Sequence, residues 1–162
     1  MFLCFYVCVN DGDNTDIATA IYNGKSGGCA TNGSVSVPIT DPISGSVNTM
    51  LFDRPQSVDI KIQVTVDADT GVSDDVVALI KQAIINNFNG TDGAERITIG
   101  QTIYASRFYC PIISAGLNII SVEIGFLNGA YGDLVSFNLN QLPVLSENNI
   151  TVVQIIYFKS IC

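Results

Sequence analysis

The most regular pattern of apolar and polar positions lies at residues 58–66, where the two kinds of residue alternate. Side chains of a strand point alternately to its two faces, so this alternation predicts a half-buried β-strand. After a turn at 67–71, apolar residues recur at spacings of three and four, which predicts an amphipathic helix. The residues of its apolar face are Val76, Val77, Ile80, Ala83, Ile84 and Phe88.

The ends of this predicted helix carry matching signals. Ser73 is a suitable N-cap. Asp74 and Asp75 follow in the first turn, where the positive end of the helix dipole favours acidic side chains. Gly90 suits the left-handed conformation that ends many helices. We therefore expect one well-bounded helix after the first long strand.

The pattern of apolar and polar residues is less regular in the rest of the chain after this helix. A second, shorter helix is predicted at 102–109 and a second strong strand at 117–126. A turn at 128–129 leads to residues 134–142, which we expect to form a meandering loop with one short strand. The apolar run within 150–158 predicts a final strand that is buried on both sides or meets a neighbour on one face.

The first third of the chain has its own pattern. We expect a strand at 2–9, a short helix that ends at Gly24, and a hairpin of strands 35–39 and 47–52, with Pro38 favouring a strand edge. Because the first strand begins almost at the first residue, we expect the chain to be a segment of a longer protein. The fold class is predicted as α+β with mostly antiparallel or mixed sheets. A β-α-β-β unit at 1–54 and a β-α-α-β-β unit at 57–162 are joined by the extended Arg54-Pro55 step.

Composition adds one strong constraint. Hydrophobic residues make up 48% of the 162 residues and charged residues only 14%. Such a chain is not disordered, and its low charge predicts that partner subunits cover part of its surface. A large core is the alternative explanation. The net charge of −8 and the seven scattered basic residues disfavour nucleic acid and anionic membranes as partners, and no apolar run is long enough to predict membrane insertion.

Candidate chemistry is sparse. Histidine is absent, which removes Ser-His-Asp and Cys-His catalytic systems and histidine metal centres. Gly24-Lys25-Ser26 imitates the end of a phosphate-binding loop, but position 19 is threonine and the tripeptide follows a predicted helix when it should precede one. We predict no catalytic residue, cofactor or bound metal and no enzymatic activity, although distant carboxylates that approach one another in the fold stay possible.

Two further groups of residues have ordinary explanations. The acidic runs at 11–16 and 67–69 lack the glycine and closing glutamate of a calcium loop, and turn and N-cap roles account for them. The five cysteines, an odd number at scattered positions, look like reduced residues of an intracellular context and do not resemble a disulfide framework. They are Cys4, Cys8, Cys29, Cys110 and Cys162.

Four short stretches together resemble a known family. They are DIATAIY at 16–22, GGCATNG at 27–33, LFDRP at 51–55 and IGQTIY at 99–104. Their order and spacing are similar to the C-terminal part of the baseplate J-like family, the wedge components of contractile phage tails and related injection machines. In that family the aromatic-X-Arg-Pro step precedes the first long strand of a terminal α+β domain. The chain departs from the family in lacking its usual N-terminal portion and in carrying Pro111, which is expected to end the second helix early or kink it.

The resemblance implies a structural role in a tail baseplate, assembled in the host cytoplasm and located in the virion. Its partners would be copies of itself and other baseplate or tail proteins. We expect the exposed faces of the final strand and the 134–142 segment to make these contacts. A small module that binds a sugar or peptide on a host surface is the alternative function, and an enzyme is the third.

Overall fold

A computed structural model describes residues 4–67, 72–114 and 118–155 of the chain, and it has an α+β fold. Residues 4–54 form one helix, two strands of three residues and two strands of six residues. Their bounds are β1 at Cys4–Tyr6, α1 at Asn14–Gly24, β2 at Ala30–Asn32, β3 at Val35–Thr40 and β4 at Val47–Phe52. The predicted hairpin is confirmed, with β3 and β4 antiparallel and in register from Val35–Phe52 to Thr40–Val47.

The remaining residues form a longer series of strands with two helices. Their bounds are β5 at Gln56–Asp67, α2 at Asp74–Asn89, β6 at Ile103–Tyr104, a 3-10 turn at Ala105–Phe108, α3 at Tyr109–Ile113, β7 at Asn118–Phe126, β8 at Leu134–Val135, β9 at Gln141–Val144, a second 3-10 turn at Glu147–Asn149 and β10 at Ile150–Ile155.

Strand β5 organises the main sheet. It pairs antiparallel with β7 and parallel with β10 and, at its first four residues, with β9. Its alternation is confirmed because Ile60, Ile62, Val64 and Val66 are all fully buried. These side chains share one hydrophobic cluster with the apolar face of α2, so α2 covers one face of the sheet.

Helix α2 follows its sequence signals closely. It begins after Ser73, and Gly90 adopts the left-handed conformation at φ +72°. Ser73 occupies the predicted N-cap position, although its side chain makes no capping hydrogen bond. Ile80 and Ile84 are fully buried, which confirms the predicted apolar face.

A second cluster lies within the first 54 residues. Ala18 and Ile21 of α1 pack against Met50 and Phe52 of β4. The two clusters are built from residues on either side of the Arg54-Pro55 step, and the division into units at 1–54 and 57–162 stays a prediction. Within the described ranges, no helix is both long enough and apolar enough to cross a bilayer.

The second helix is present, but its bounds were predicted wrongly. Helical structure begins at residue 105, because Ile103 is buried in an antiparallel pairing with Val135 and the Ala105 N–H donates to the carbonyl of Asp133 at 2.7 Å. It also continues beyond Pro111 to Ile113. Proline is tolerated there because it is the third residue of α3, where a helix needs no internal N–H donor.

Three other predictions were too simple. The strand expected at 2–9 is regular only at β1, with one further bridge between Cys8 and Asp53, and residues 1–3 lie outside the described part. The 134–142 segment contributes to two strands, β8 and β9. The final strand is β10, and positions 156–158 of its predicted range are also outside the described residues.

Candidate interaction surfaces

The Asp53 carboxylate lies at a junction of strands and accepts three hydrogen bonds from protein donors. Its Oδ1 accepts hydrogen bonds from the Ser34 N–H at 2.6 Å and the Ser34 hydroxyl at 2.7 Å, and its Oδ2 accepts one from the Tyr6 hydroxyl at 2.9 Å. The Ser34 bonds, followed by that of Tyr6, hold the pKa of Asp53 below its usual value. Desolvation and the bond to Asp53 raise the pKa of Tyr6 to about 12. This acid therefore serves as a structural acceptor.

Arg54, the next residue, holds the loop that enters α1. Its Nη1 donates to the Val9 carbonyl at 3.1 Å, and its Nη2 donates to the Gly12 carbonyl at 2.7 Å and to Asn14 Oδ1 at 2.6 Å. The guanidinium lies 5.5 Å from the ring centre of Phe52. A planar fork of donors suits this task, and the LFDRP stretch is thus an internal brace.

The hairpin tip between β3 and β4 is ordered by Asp41. Its Oδ1 accepts from the N–H groups of Ile43 and Ser44, both at 2.8 Å, and its Oδ2 accepts from the hydroxyl of Tyr22 on α1. The Tyr22 bond and the two N–H groups lower the pKa of Asp41 to about 2. Gly45 closes the turn at φ +69°. The result is a fixed turn on which the Ile43 side chain is 96% exposed.

An apolar groove of about 420 Å³ lies between β1 and α1. Its wall combines side chains from the strand and the residues that follow it with one face of the helix. The lining residues are Phe5, Val7, Val9, Ile17, Ala20, Ile21 and Gly24. None of them carries a charge, so the groove suits an apolar occupant.

The main sheet carries two exposed apolar side chains, one on β7 and one on β10. The register between β5 and β7 shifts after Thr65, which pairs with Ser121, so that Ile120 is an extra residue on β7 and stands 43% exposed. Val153 of β10 pairs with Thr65 and is 37% exposed. Among the described residues β10 pairs only with β5, and it contains neither charge nor proline. It is therefore a sheet edge that lacks the usual protection against pairing.

The 134–142 segment is better anchored than a free loop. Phe137 is buried and meets Phe126 edge to face, with ring centres 5.4 Å apart. The Asn138 N–H donates to Gln141 Oε1 at 2.9 Å. Between these anchors Leu139 is 74% exposed. The segment presents an apolar side chain on a fixed backbone.

Arg107 forms a polar centre at the C-terminal end of α2. Its Nε donates to Asn87 Oδ1 at 2.7 Å, and its Nη2 donates to the carbonyls of Asn87, at 3.0 Å, and Glu95. Asn87 in turn donates to Asp92 Oδ2 at 2.8 Å. The guanidinium also borders a surface pocket of about 340 Å³ that Tyr104 helps to line.

The motifs that resemble phosphate-binding or metal-binding sequences have structural roles. Gly24 is the last residue of α1 and the N–H of Lys25 caps its end, so a phosphate would meet the negative pole of the helix. Asp13 is the N-cap of α1, accepting from the Thr15 N–H at 2.8 Å. Asp69 lies outside the described residues, and no group of three potential metal ligands occurs in the part that is described. Of the sequence's cysteines, Cys4, Cys8, Cys29 and Cys110 are free thiols, and Cys162 is outside the described range.

Sequence reasoning pointed to β10 and the 134–142 segment but missed the Ile43 tip and the groove on α1. The tip had a signal in principle, since a lone isoleucine inside a turn of Pro, Ser and Gly is unusual. The groove had none, because it forms only when β1 packs beside α1. No family model and no curated protein matches the chain.

Proposed function

We propose that the protein is a structural subunit of a contractile-tail baseplate, where it binds copies of itself and other tail proteins. The proposal assigns it no catalytic step, cofactor or metal. The observation that carries it is the unprotected edge of β10, an uncharged strand on which the Val153 side chain is exposed. Uncharged sheet edges are surfaces on which a further strand or subunit is readily added.

The resemblance to the baseplate J-like family supports the same function. Two of the quoted stretches hold internal positions: LFDRP braces the entry to α1, and IGQTIY leads into β6. A scaffold needs such braces, since a building block depends on the shape it presents. The low charge is in keeping with this role, because side chains such as Leu139 and Ile43 stand exposed on fixed backbone.

The test measures assembly and its dependence on β10. Light scattering across a wide concentration range gives the mass of the full chain, and co-expression with the proteins of the neighbouring genes shows whether it enters a tail particle. We expect assembly, and we expect Val153→Lys to weaken it by placing a charge beside the edge. Leu79→Lys is the matched control, because Leu79 is an exposed aliphatic residue on α2.

Two results would refute the proposal together: a chain that stays monomeric at every concentration, and its absence from particles formed by the other tail proteins. Equal assembly of Val153→Lys and wild type would remove β10 from the contact surface while leaving the baseplate role intact.

A small binding module is the second candidate, and the pocket beside Arg107 favours it. Tyr104, 54% exposed, and the polar side chains of Thr102 and Ser106 line this pocket together with the guanidinium. An exposed aromatic ring beside hydrogen-bonding groups is suited to a sugar. Saturation-transfer NMR with a panel of cell-surface glycans tests it, and Tyr104→Ala should abolish any signal if the pocket binds.

A further inference from the structure

The groove on α1 and the hairpin tip are complementary in polarity. Every side chain that lines the groove is uncharged, so a charged occupant would lose its hydration without gaining a partner. The tip offers what the groove requires: residues 42–48 contain no charged side chain, and Ile43 projects from them at 96% exposure. A side chain so exposed is not seated in the groove of its own copy.

The tip is also rigid enough to act as a docking element. Three hydrogen bonds to the Asp41 carboxylate fix the turn, and one of them comes from Tyr22 on α1, so helix and tip keep one relative position. A loop that is already ordered loses little conformational entropy when it binds. The groove is equally prepared, because Ile21 on its floor belongs to the buried cluster of α1 and β4.

We propose that Ile43 of one copy seats in the α1 groove of a second copy, in a head-to-tail contact. This inference rests on the proposed structural function and names the partner and the surfaces. The two surfaces differ, so the contact is heterologous: a pair of copies keeps one free tip and one free groove to which further copies can bind. Such contacts close into rings when the rotation between copies allows it and otherwise extend into filaments.

The test uses two single variants of the full chain. Ile43→Ser removes the apolar side chain of the tip and leaves the groove intact. Ala20→Glu places a charge in the groove and leaves the tip intact; Ala20 is exposed and glutamate suits a helix, so the fold should be preserved. Leu79→Ser is the matched control for loss of an exposed aliphatic side chain elsewhere, and Ala20→Lys repeats the groove test with the opposite charge.

Sedimentation velocity gives the readout. We expect wild type and Leu79→Ser to form the largest species, and each of the other variants alone to sediment more slowly because the head-to-tail contact is lost. An equimolar mixture of Ile43→Ser and Ala20→Glu should sediment faster than either variant alone, because one variant supplies an intact groove and the other an intact tip. A mixture that sediments like the separate variants would overturn the inference.

The outcomes separate this contact from the proposed function. If wild type and all variants assemble equally, the head-to-tail contact is wrong and the structural role stands. If wild type is monomeric but enters tail particles, the contact is again wrong and the role again stands. If it is monomeric and absent from particles, both proposals fail.

Discussion

The hydroxyl of Tyr22 donates a hydrogen bond to Oδ2 of Asp41, 19 residues further along the chain. The bond joins helix α1 to the tip of the β3–β4 hairpin, while the other carboxylate oxygen accepts from two backbone N–H groups of the turn. One ionised side chain therefore sets both the shape of the tip and its position on the helix.

Acid should loosen this tip. The pKa of Asp41 is lowered from 3.8 to about 2 in the folded chain. A carboxylate with a depressed pKa contributes stability that is complete above its unfolded value, and that stability is lost as the pH falls through the folded value. We expect the wild-type melting temperature to drop between pH 3.8 and about 2 by more than that of Asp41→Asn, in thermal unfolding followed by circular dichroism.

Asp41→Asn is the informative comparison because asparagine keeps an oxygen for the turn N–H groups and cannot ionise. Other carboxylates with lowered pKa values, such as Asp13 and Asp53, titrate equally in both proteins. Parallel curves for wild type and variant would contradict the assigned role of the Asp41 charge.

The same substitution at two adjacent residues of α2 should change the free energy of unfolding by very different amounts. Ile80 is fully buried and Leu79 is 59% exposed. Ile80→Asp buries an unpaired charge and should lower the free energy of unfolding by about 4 kcal/mol or prevent folding. Leu79→Asp should change it by no more than about 0.5 kcal/mol. Urea denaturation measures both, and a wild-type result for Ile80→Asp would show that this helix face is misplaced.

Two glycines with similar backbone angles differ in the space around them. Gly90 has φ +72° and Gly45 has φ +69°. A Cβ at position 90 would lie 2.7 Å from the carbonyl oxygen of Ala94 and 2.9 Å from the N atom of Arg96, whereas a Cβ at position 45 meets nothing within 4 Å.

Both alanine substitutions therefore carry a left-handed backbone penalty of about 1 kcal/mol. Gly90→Ala should lower the free energy of unfolding by roughly twice as much as Gly45→Ala, or more, because the loop after α2 must move. Urea denaturation of the pair separates crowding from backbone strain, and equal losses would argue against the close approach at Gly90.

Replacement of Arg107 by lysine should destabilise the protein. Lysine keeps the charge but cannot reach Asn87 Oδ1 and two carbonyl oxygens in one plane. Losing these bonds at a half-buried site should reduce the free energy of unfolding by about 2 kcal/mol. Arg96→Lys, at an exposed position in the same loop region, is the control and should be nearly neutral. Chemical denaturation of both variants makes the comparison, and equal stability would remove Arg107 from its bracing role.

Local sequence patterns predicted those elements in which the spacing of the apolar residues matches the spacing of the buried side chains. The alternation at 58–66 and the three-and-four spacing on α2 each reflect contact with one core, so these elements were found with nearly correct ends. The start of the helix predicted at 102–109 was wrong because the same apolar residues suit a strand and a helix. Ile103 takes part in a strand because Val135, 32 residues later, is there to pair with it.

The sequence alone determined the α+β class, the hairpin, the long strand and its helix, and the absence of histidine chemistry, because these depend on residue type and near neighbours. Tertiary structure decided which surfaces are offered to a partner. The parallel pairing of β10 with β5 and the bulge that exposes Ile120 join segments far apart in the chain, and the groove depends on how β1 packs beside α1. Short-range periodicity carries no information about such contacts, since they are fixed only when the whole chain packs.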